Sequence, residues 1–402
     1  MKKPELLSPA GDWPSLHAAL DSGADSVYFG CRDLNMRHTA GNFDVLELKK
    51  IMAVLRERGK RGYLTLNTLI SEPDLPRVER MLAEAQAAKV DAVILWDMAV
   101  LVLAKRLGLT AHLSTQASVA NAAAAKAYAD LGVSRIILAR ECALTEIAAI
   151  ARGLKESGSP CAIEVFIHGA MCVSVSGRCF LSQYTHDCSA NEGRCVQPCR
   201  REYLIRDVED GQEFVVGSNY ILSPKDLCAM DFVDQVIATG AAALKIEGRM
   251  RSPEYVKVVT AGYRAAIDAY AAGTLTAAKK QALREQLSVV YNRGFSTGFY
   301  FGRPRDWVTP GLEHSRRKVY LGDVVRYFAK IGVAEIRLRN GDLKIGEELV
   351  VIGKTTAAEM FTVTEMQINH QPVAEARRGS PVAVKVPIVL RPGDKVYYWK
   401  KI

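Results

Sequence analysis

Glu5-Leu-Leu-Ser-Pro-Ala10, the stretch Pro14–Ser22 and Asp25-Ser-Val-Tyr-Phe-Gly30 carry the rhythm from which the fold is read. Two short apolar runs flank an amphipathic, Ala/Leu-rich segment, the pattern of a βαβ unit with parallel strands. The rhythm recurs. Gly62–Asn67, Asp91–Asp97, Thr110–Gln116, Ser134–Arg140, Ala162–His168 and Ala242–Glu247 read as strands. Asp44–Arg58, Leu75–Lys89 and Asn121–Leu131 read as helices between them. Eight strands over about 250 residues predict an α/β fold, a (β/α)8 TIM-like barrel. A doubly wound open sheet is the alternative. No Gly-x-Gly-x-x-Gly follows the first strand, which counts against a dinucleotide-binding version of it.

The rhythm breaks between Gly169 and Gly240, where six of the nine cysteines, a polar stretch at Asp187–Gly193 and an apolar run at Tyr220–Leu222 are inserted. An insertion at the C-terminal end of a barrel strand lies on the face where barrel enzymes do chemistry. Helices resume at Pro253–Ala271 and Thr276–Tyr291. After residue 310 the texture becomes β-rich: Val319–Tyr327, Val333–Arg339, Glu348–Ile352, Met360–Gln367, Val382–Val386 and Lys395–Trp399, with turn signals at Asn340-Gly341-Asp342 and Arg391–Asp394. Two domains are therefore expected. Residues 1–310 form the barrel with its cysteine-rich insertion at 169–240, and 311–402 form a small antiparallel β-barrel.

With 49% hydrophobic and 24% charged residues, the 402-residue chain has an ordinary globular composition. No run reaches the roughly 18 apolar residues of a membrane span, and the start lacks a signal-peptide pattern. A cytoplasmic protein with no membrane partner is expected. The net charge is +9, and residues 311–402, with 16 Lys+Arg against 10 Asp+Glu, carry +6 of it. Such a patch suits nucleic-acid phosphates, or simply solvation.

In a reducing compartment, clustered cysteines are more often metal ligands or redox groups than disulfides. Cys172, Cys179, Cys195, Cys199 and Cys228 are spaced C-x6-C-x15-C-x3-C-x28-C. That is not the paired C-x2-C of a zinc ribbon. Four thiolates are the usual ligand set of an iron–sulfur cluster, and their loops can be widely spaced. Arg178, Arg194 and Arg200 stand beside the thiols and would offset thiolate charge. A catalytic thiol is the rival reading, because Cys172 lies four residues from His168.

At this segment the chain resembles the collagenase-like peptidases, peptidase family U32. Their Glu-x-Phe-x-x-Gly-Ala/Ser-x-Cys run and following Ser-Gly-x-Cys-x-x-Ser are filled by Glu164, Phe166, Gly169, Ala170, Cys172, Gly177, Cys179 and Ser182. Leu7–Gly11, Ala24–Gly30, Ser114–Gln116, Ala139–Glu141, Ser223–Leu227 and Lys245–Arg249 are further matches, so the likeness spans residues 1 to about 300. The family name implies proteolysis. Better-understood members look like oxygen-independent hydroxylases acting on tRNA wobble uridine, on a cytidine of large-subunit ribosomal RNA, or on a ubiquinone precursor. The resemblance implies a 4Fe–4S cluster and prephenate as hydroxyl donor. It carries over Cys172, Cys179 and Cys195 as ligands and places the fourth at Cys228, with Cys199 as the alternative. The basic C-terminal region resembles the RNA-modifying branch, with tRNA ahead of ribosomal RNA.

Polar residues that end their strands complete the candidate site. Arg140 and Arg249 suit a carboxylate pair, because guanidinium forks bind carboxylates bidentately. Glu141, Glu164, His168 and Glu247 are candidate proton-transfer groups. Alternatively these residues only brace the barrel with ion pairs, and Asp97 only caps a helix. Tyr397-Tyr398-Trp399 offers rings for bases or for core packing. Three functions remain open: an RNA hydroxylase forming 5-hydroxyuridine in tRNA or modifying a ribosomal cytidine, a peptidase built on Cys172 and His168, and a non-catalytic RNA-binding protein with a structural cluster. No His-Glu-x-x-His or Gly-x-Ser-x-Gly motif supports the peptidase.

Overall fold

The eight apolar runs become parallel strands: β1 (Glu5–Ala10), β2 (Ser26–Phe29), β3 (Arg61–Leu66), β4 (Ala92–Leu95), β5 (Ala111–Leu113), β6 (Arg135–Ile137), β7 (Ala162–Gly169) and β8 (Ala243–Ile246). Each pairs with the next, and β8 pairs with both β7 and β1, which closes the ring. In this computed structural model, residues 3–38, 40–201, 203–206, 208, 209, 211, 213–215, 222–304 and 313–402 are described. The start of the apolar run at 220–222 and the domain boundary at 310 lie outside them.

Strands covered on both faces need continuous apolar sequence, and β2, β4, β5 and β6 are buried at every position. Helix starts follow the local chemistry. Asp12 accepts from the Ser15 amide and Pro14 occupies the first turn of helix Trp13–Asp21. Asp97 does the same for Met98–Arg106, accepting from Ala99 and Val100, so this strand-end aspartate is a cap rather than a site residue.

The insertion is shorter than the sequence suggested. Strand Asp226–Cys228 pairs antiparallel with the end of β7, Leu227 opposite Gly169 and Cys228 opposite His168. Helix Val233–Ala238 then packs against the helices Leu144–Glu156 and Pro253–Ala271, as a barrel helix does. Among the described residues, those between Gly169 and Asp226 add no strand to the barrel sheet.

The C-terminal strands form an eight-stranded antiparallel sheet around a second hydrophobic core that includes Leu321, Ile336, Leu349, Val382 and Val396. Met360–Gln367 is two strands, not one. Ala357–Thr362 pairs with Glu348–Gly353, whereas Met366–Ile368 crosses to Pro381–Lys385. Val350, Ala357 and Trp399 join the barrel's own core, and Lys257–Glu359 (2.8 Å) and Lys318–Glu254 (3.0 Å) tie the sheet to helix Pro253–Ala271. Tyr398 and Trp399 are buried, so two of the three tail aromatics serve packing. No helix among the described residues is long and apolar enough to cross a membrane.

Candidate active site at the barrel mouth

The insertion roofs the C-terminal end of the barrel. Three hydrogen bonds pin it to the loops below: His38 N–H to the Gly193 carbonyl (3.1 Å), Leu69 N–H to the Asn191 carbonyl (2.9 Å) and Ser176 N–H to the Glu141 carboxylate (2.9 Å). Glycine is required at two contacts. Gly193 has φ +88°, and a Cβ there would lie 2.1 Å from the Asn35 carbonyl. Gly169 has φ +106°, and a Cβ would meet the Glu247 carbonyl at 2.5 Å.

Under the roof lies a cleft of about 1020 Å³, counting its open mouth, lined on one side by Cys172, Cys179, Cys195 and Cys199. Arg37, Arg140, Arg200 and Arg251 face it, against one acid, Glu247. Below it, inside the barrel, is a smaller cavity of about 390 Å³ walled by Tyr28, Ile94, Ile137 and Phe166 and bearing Lys245 and Arg249. The two spaces share Met36, Arg37, Thr115, Gln116, Arg140 and Glu247.

Electrostatics at their junction are set by Glu247. Its carboxylate pairs with Arg37 (3.1 Å) and Arg140 (3.5 Å). Burial would raise its pKa, but Arg37, Arg140 and Arg249 outweigh burial and hold it at about 2. Arg140 also donates to the Ala170 carbonyl (2.7 Å) and lies 4.0 Å over the Phe166 ring, while its buried Nε has no hydrogen-bond partner among the described residues. Arg249 donates to Asn35 (3.0 Å) and Thr65 (2.7 Å), and burial draws its guanidinium down to about 10, still cationic at neutral pH. Asn67, Ser114 and Gln116 form a buried hydrogen-bonded set on the wall of the inner cavity.

Of the expected site residues, Arg140, Glu247 and Arg249 reach these cavities, and three others do not. Glu141 sits behind the wall, where it also accepts from the Ser176 hydroxyl (3.1 Å) and braces the cysteine loop. Glu164 is fully buried between Lys245 (3.0 Å) and Arg135 (3.2 Å), nearer the opposite end of the barrel, because it sits early in β7. His168 is sealed among Tyr255, Tyr263 and Phe295, and burial lowers its pKa to about 4. Its Nδ1 meets the Tyr263 hydroxyl (3.3 Å), whereas the Cys172 thiol meets Ser174 (3.0 Å), so the two do not form a nucleophile–base pair. The chain turns at Gly169, where β7 ends, so His168 stays in the wall and Cys172 follows on the cysteine loop.

Cys199, not Cys228, shares the cleft with Cys172, Cys179 and Cys195. Burial pushes the Cys199 thiol up to about 11; Arg200 opposes the rise, and Cys172 and Cys195 add to it, a mark of their proximity. Cys228 is locked in the barrel wall by its strand pairing and faces Tyr263. Cys188 bonds back to the Ser182 carbonyl and does not line the cleft. Cys31, Cys142 and Cys161 are buried thiols raised to about 12, 12 and 11 by burial, as inert core cysteines are. Among the described residues, no three His, Cys, Asp or Glu side chains converge closely enough to hold a single metal ion. Arg200, adjacent to Cys199, lines the cleft beside the thiols, whereas sequence reading missed Arg37 and Arg251; of these two only Arg251 had a signal, its place two residues after Arg249.

The model of peptidase family U32 matches residues 11–309. The chain belongs to that family. A protein named collagenase from Porphyromonas gingivalis is 39% identical over 99% of this chain and 98% of its own length. A tRNA hydroxylation protein P1 from Bacillus subtilis is 33% identical over 90% of this chain and 86% of its own. The 23S rRNA 5-hydroxycytidine C2501 synthase of Escherichia coli is 36% identical over 66% of this chain and 39% of its own. Family membership thus joins chains with quite different names, and the site must decide among them.

Proposed function

We propose that this chain is an RNA-modifying hydroxylase that forms 5-hydroxyuridine at the tRNA wobble position, with an iron–sulfur cluster on its cleft cysteines and prephenate as hydroxyl donor. The observation that carries the reading is the stacking of two spaces that share a wall: a cleft lined by four thiols and four arginines, and beneath it a space bearing Lys245 and Arg249. The relatives named for tRNA hydroxylation and for ribosomal hydroxycytidine support the reaction class.

The donor set suits an iron–sulfur cluster in kind and number, because four thiols line one space and four thiolates are the usual ligands of a cubane. Cys172, Cys179, Cys195 and Cys199 would hold it, and Arg37 and Arg200 would offset its charge. When bound, the cluster supplies one-electron chemistry beside the substrate. The chain's own groups do the rest. Arg140, with Arg37 and Arg249, grips the carboxylates of the donor, and the Arg140 Nε, which has no hydrogen-bond partner among the described residues, serves one of them. Glu247 is a positioning residue: ionised at neutral pH, it aligns Arg37 and Arg140 rather than accepting a proton. Gln116 and Asn67 offer hydrogen bonds to a hydroxyl.

The peptidase reading rests on the name of the P. gingivalis relative, and the separation of Cys172 from His168 speaks against it. In the test, anaerobically purified chain is assayed for iron and sulfide, then given hypomodified tRNA and prephenate. Four iron and four sulfide per chain, about the content of a cubane, with new 5-hydroxyuridine, supports the proposal. Metal-free protein that cleaves gelatin refutes it.

A further inference from the structure

Directly outside the cleft, the roof presents aromatic rings to solvent. Phe180 is 64% and Tyr184 84% exposed, with ring centroids 6.4 Å apart and planes at 56°. Both stand on the turn and helix that begin at Cys179: the Leu181 amide donates to the Cys179 sulfur (3.3 Å) and the Tyr184 amide to the Phe180 carbonyl (3.1 Å). Phe180 thus lies between the cleft residues Cys179 and Leu181, and Tyr184 two residues beyond Ser182, which also lines the cleft. Val173 and Met250, which line the cleft, are themselves 40% and 41% exposed. Leaving apolar surface of this size in water is unfavourable, and exposed apolar groups rimming one opening mark a contact surface.

The charge around the rings identifies the partner. Arg178, two residues before Phe180, is anchored to Ser118 (3.1 Å) with its guanidinium 6.0 Å from the Trp96 ring. The cleft behind them holds four arginines against one glutamate. A polymer with flat apolar groups on an anionic backbone satisfies both features at once, and a neutral peptide uses only the first. We infer that Phe180 and Tyr184 form a stacking platform for unpaired bases flanking the nucleotide that enters the cleft, with Arg178 meeting its phosphates. This rests on the RNA-modifying reading and adds to it: the platform accepts unpaired loop bases and has no use for a duplex, whose bases are stacked already.

The test uses full-length, anaerobically purified protein and fluorescence anisotropy with a labelled hairpin RNA carrying a loop uridine, beside a duplex of equal length. Each ring lost should weaken hairpin binding about five- to 150-fold, the range for base–aromatic stacking. The F180A/Y184A double variant should lose at least tenfold on the hairpin and far less on the duplex, with its melting temperature unchanged. Tyr184→Phe should bind like the parent and Tyr184→Leu should not. Parent and double variant binding the hairpin equally would overturn the platform while leaving the RNA reading standing. A parent that binds no RNA, or that binds gelatin peptide through these rings, would overturn both.

Discussion

Replacing Glu164 with glutamine separates structure from catalysis most cleanly. The carboxylate has no exposed surface and touches two cations, Lys245 at 3.0 Å and Arg135 at 3.2 Å. Arg135 is shared with Glu5 (2.8 Å), and the exposed end of the network is Arg61. Glutamine keeps the shape and removes one negative charge, which leaves Lys245 buried without a counterion. Burial already lowers the Lys245 pKa, and Glu164 opposes that fall. Breaking one side of a buried pair costs about 3–5 kcal/mol, a large part of a typical 5–15 kcal/mol stability. At about 2–4 °C per kcal/mol the melting temperature should drop on the order of 10 °C. Urea denaturation reads the loss, and hydroxylation per folded molecule well below the transition should be unchanged. The E164Q/K245M double variant should recover much of the stability, because both charges leave together. An E164Q protein as stable as its parent but without turnover would refute this, and would make Glu164 a proton-transfer group.

Cys199→Ser should lose cluster iron on anaerobic reconstitution, whereas Cys228→Ser and Cys188→Ser should retain it, as read by iron content and absorbance near 400 nm, roughly where thiolate-bound clusters absorb. The reverse pattern would return the fourth ligand to Cys228. Arg140→Met should raise KM for prephenate at least tenfold, about 1.4 kcal/mol of lost carboxylate binding, with RNA binding unchanged in titrations. His168 should make the fold acid-sensitive. Its pKa falls from 6.5 to about 4 on folding, so the unfolded chain binds its proton first. Stability is then full above pH 6.5 and declines towards pH 4, by about 3 kcal/mol for this group. His168→Phe should flatten that part of the pH–melting curve, and an unchanged slope would exclude His168 as its source.

The barrel was legible because its strands are covered on both faces: runs such as Ala92–Leu95 carry no polar residue and alternate with helices that cap themselves, as Asp12 and Asp97 do. The C-terminal strands were legible from their turns, except where Thr362 and Met366 change partner without a glycine or proline to mark it. The site was harder to read. Sequence shows which residues end a strand, not how deep each one sits. Glu164 and His168 lie in the motif that names the family, yet both are buried in the barrel: Glu164 because it sits early in β7, His168 because Tyr255, Tyr263 and Phe295 enclose it at the strand's end. Arg37 was invisible for the opposite reason. It lies in an irregular loop, and only the closing of the ring brings it to Glu247, far along the chain. Cys228 and Cys199 could not be told apart by spacing, since the deciding fact is the pairing of Cys228 with His168.

The central claim is a reaction on RNA, and nucleoside mass spectrometry tests it most directly. Total tRNA and ribosomal RNA from a strain lacking this gene would be digested and compared with the parent strain and with strains complemented by the wild-type and Cys172→Ser chains. Loss of 5-hydroxyuridine or its derivatives from tRNA, restored by the wild-type chain and not by Cys172→Ser, is the expected result. Identical nucleoside profiles in all four strains would contradict the account.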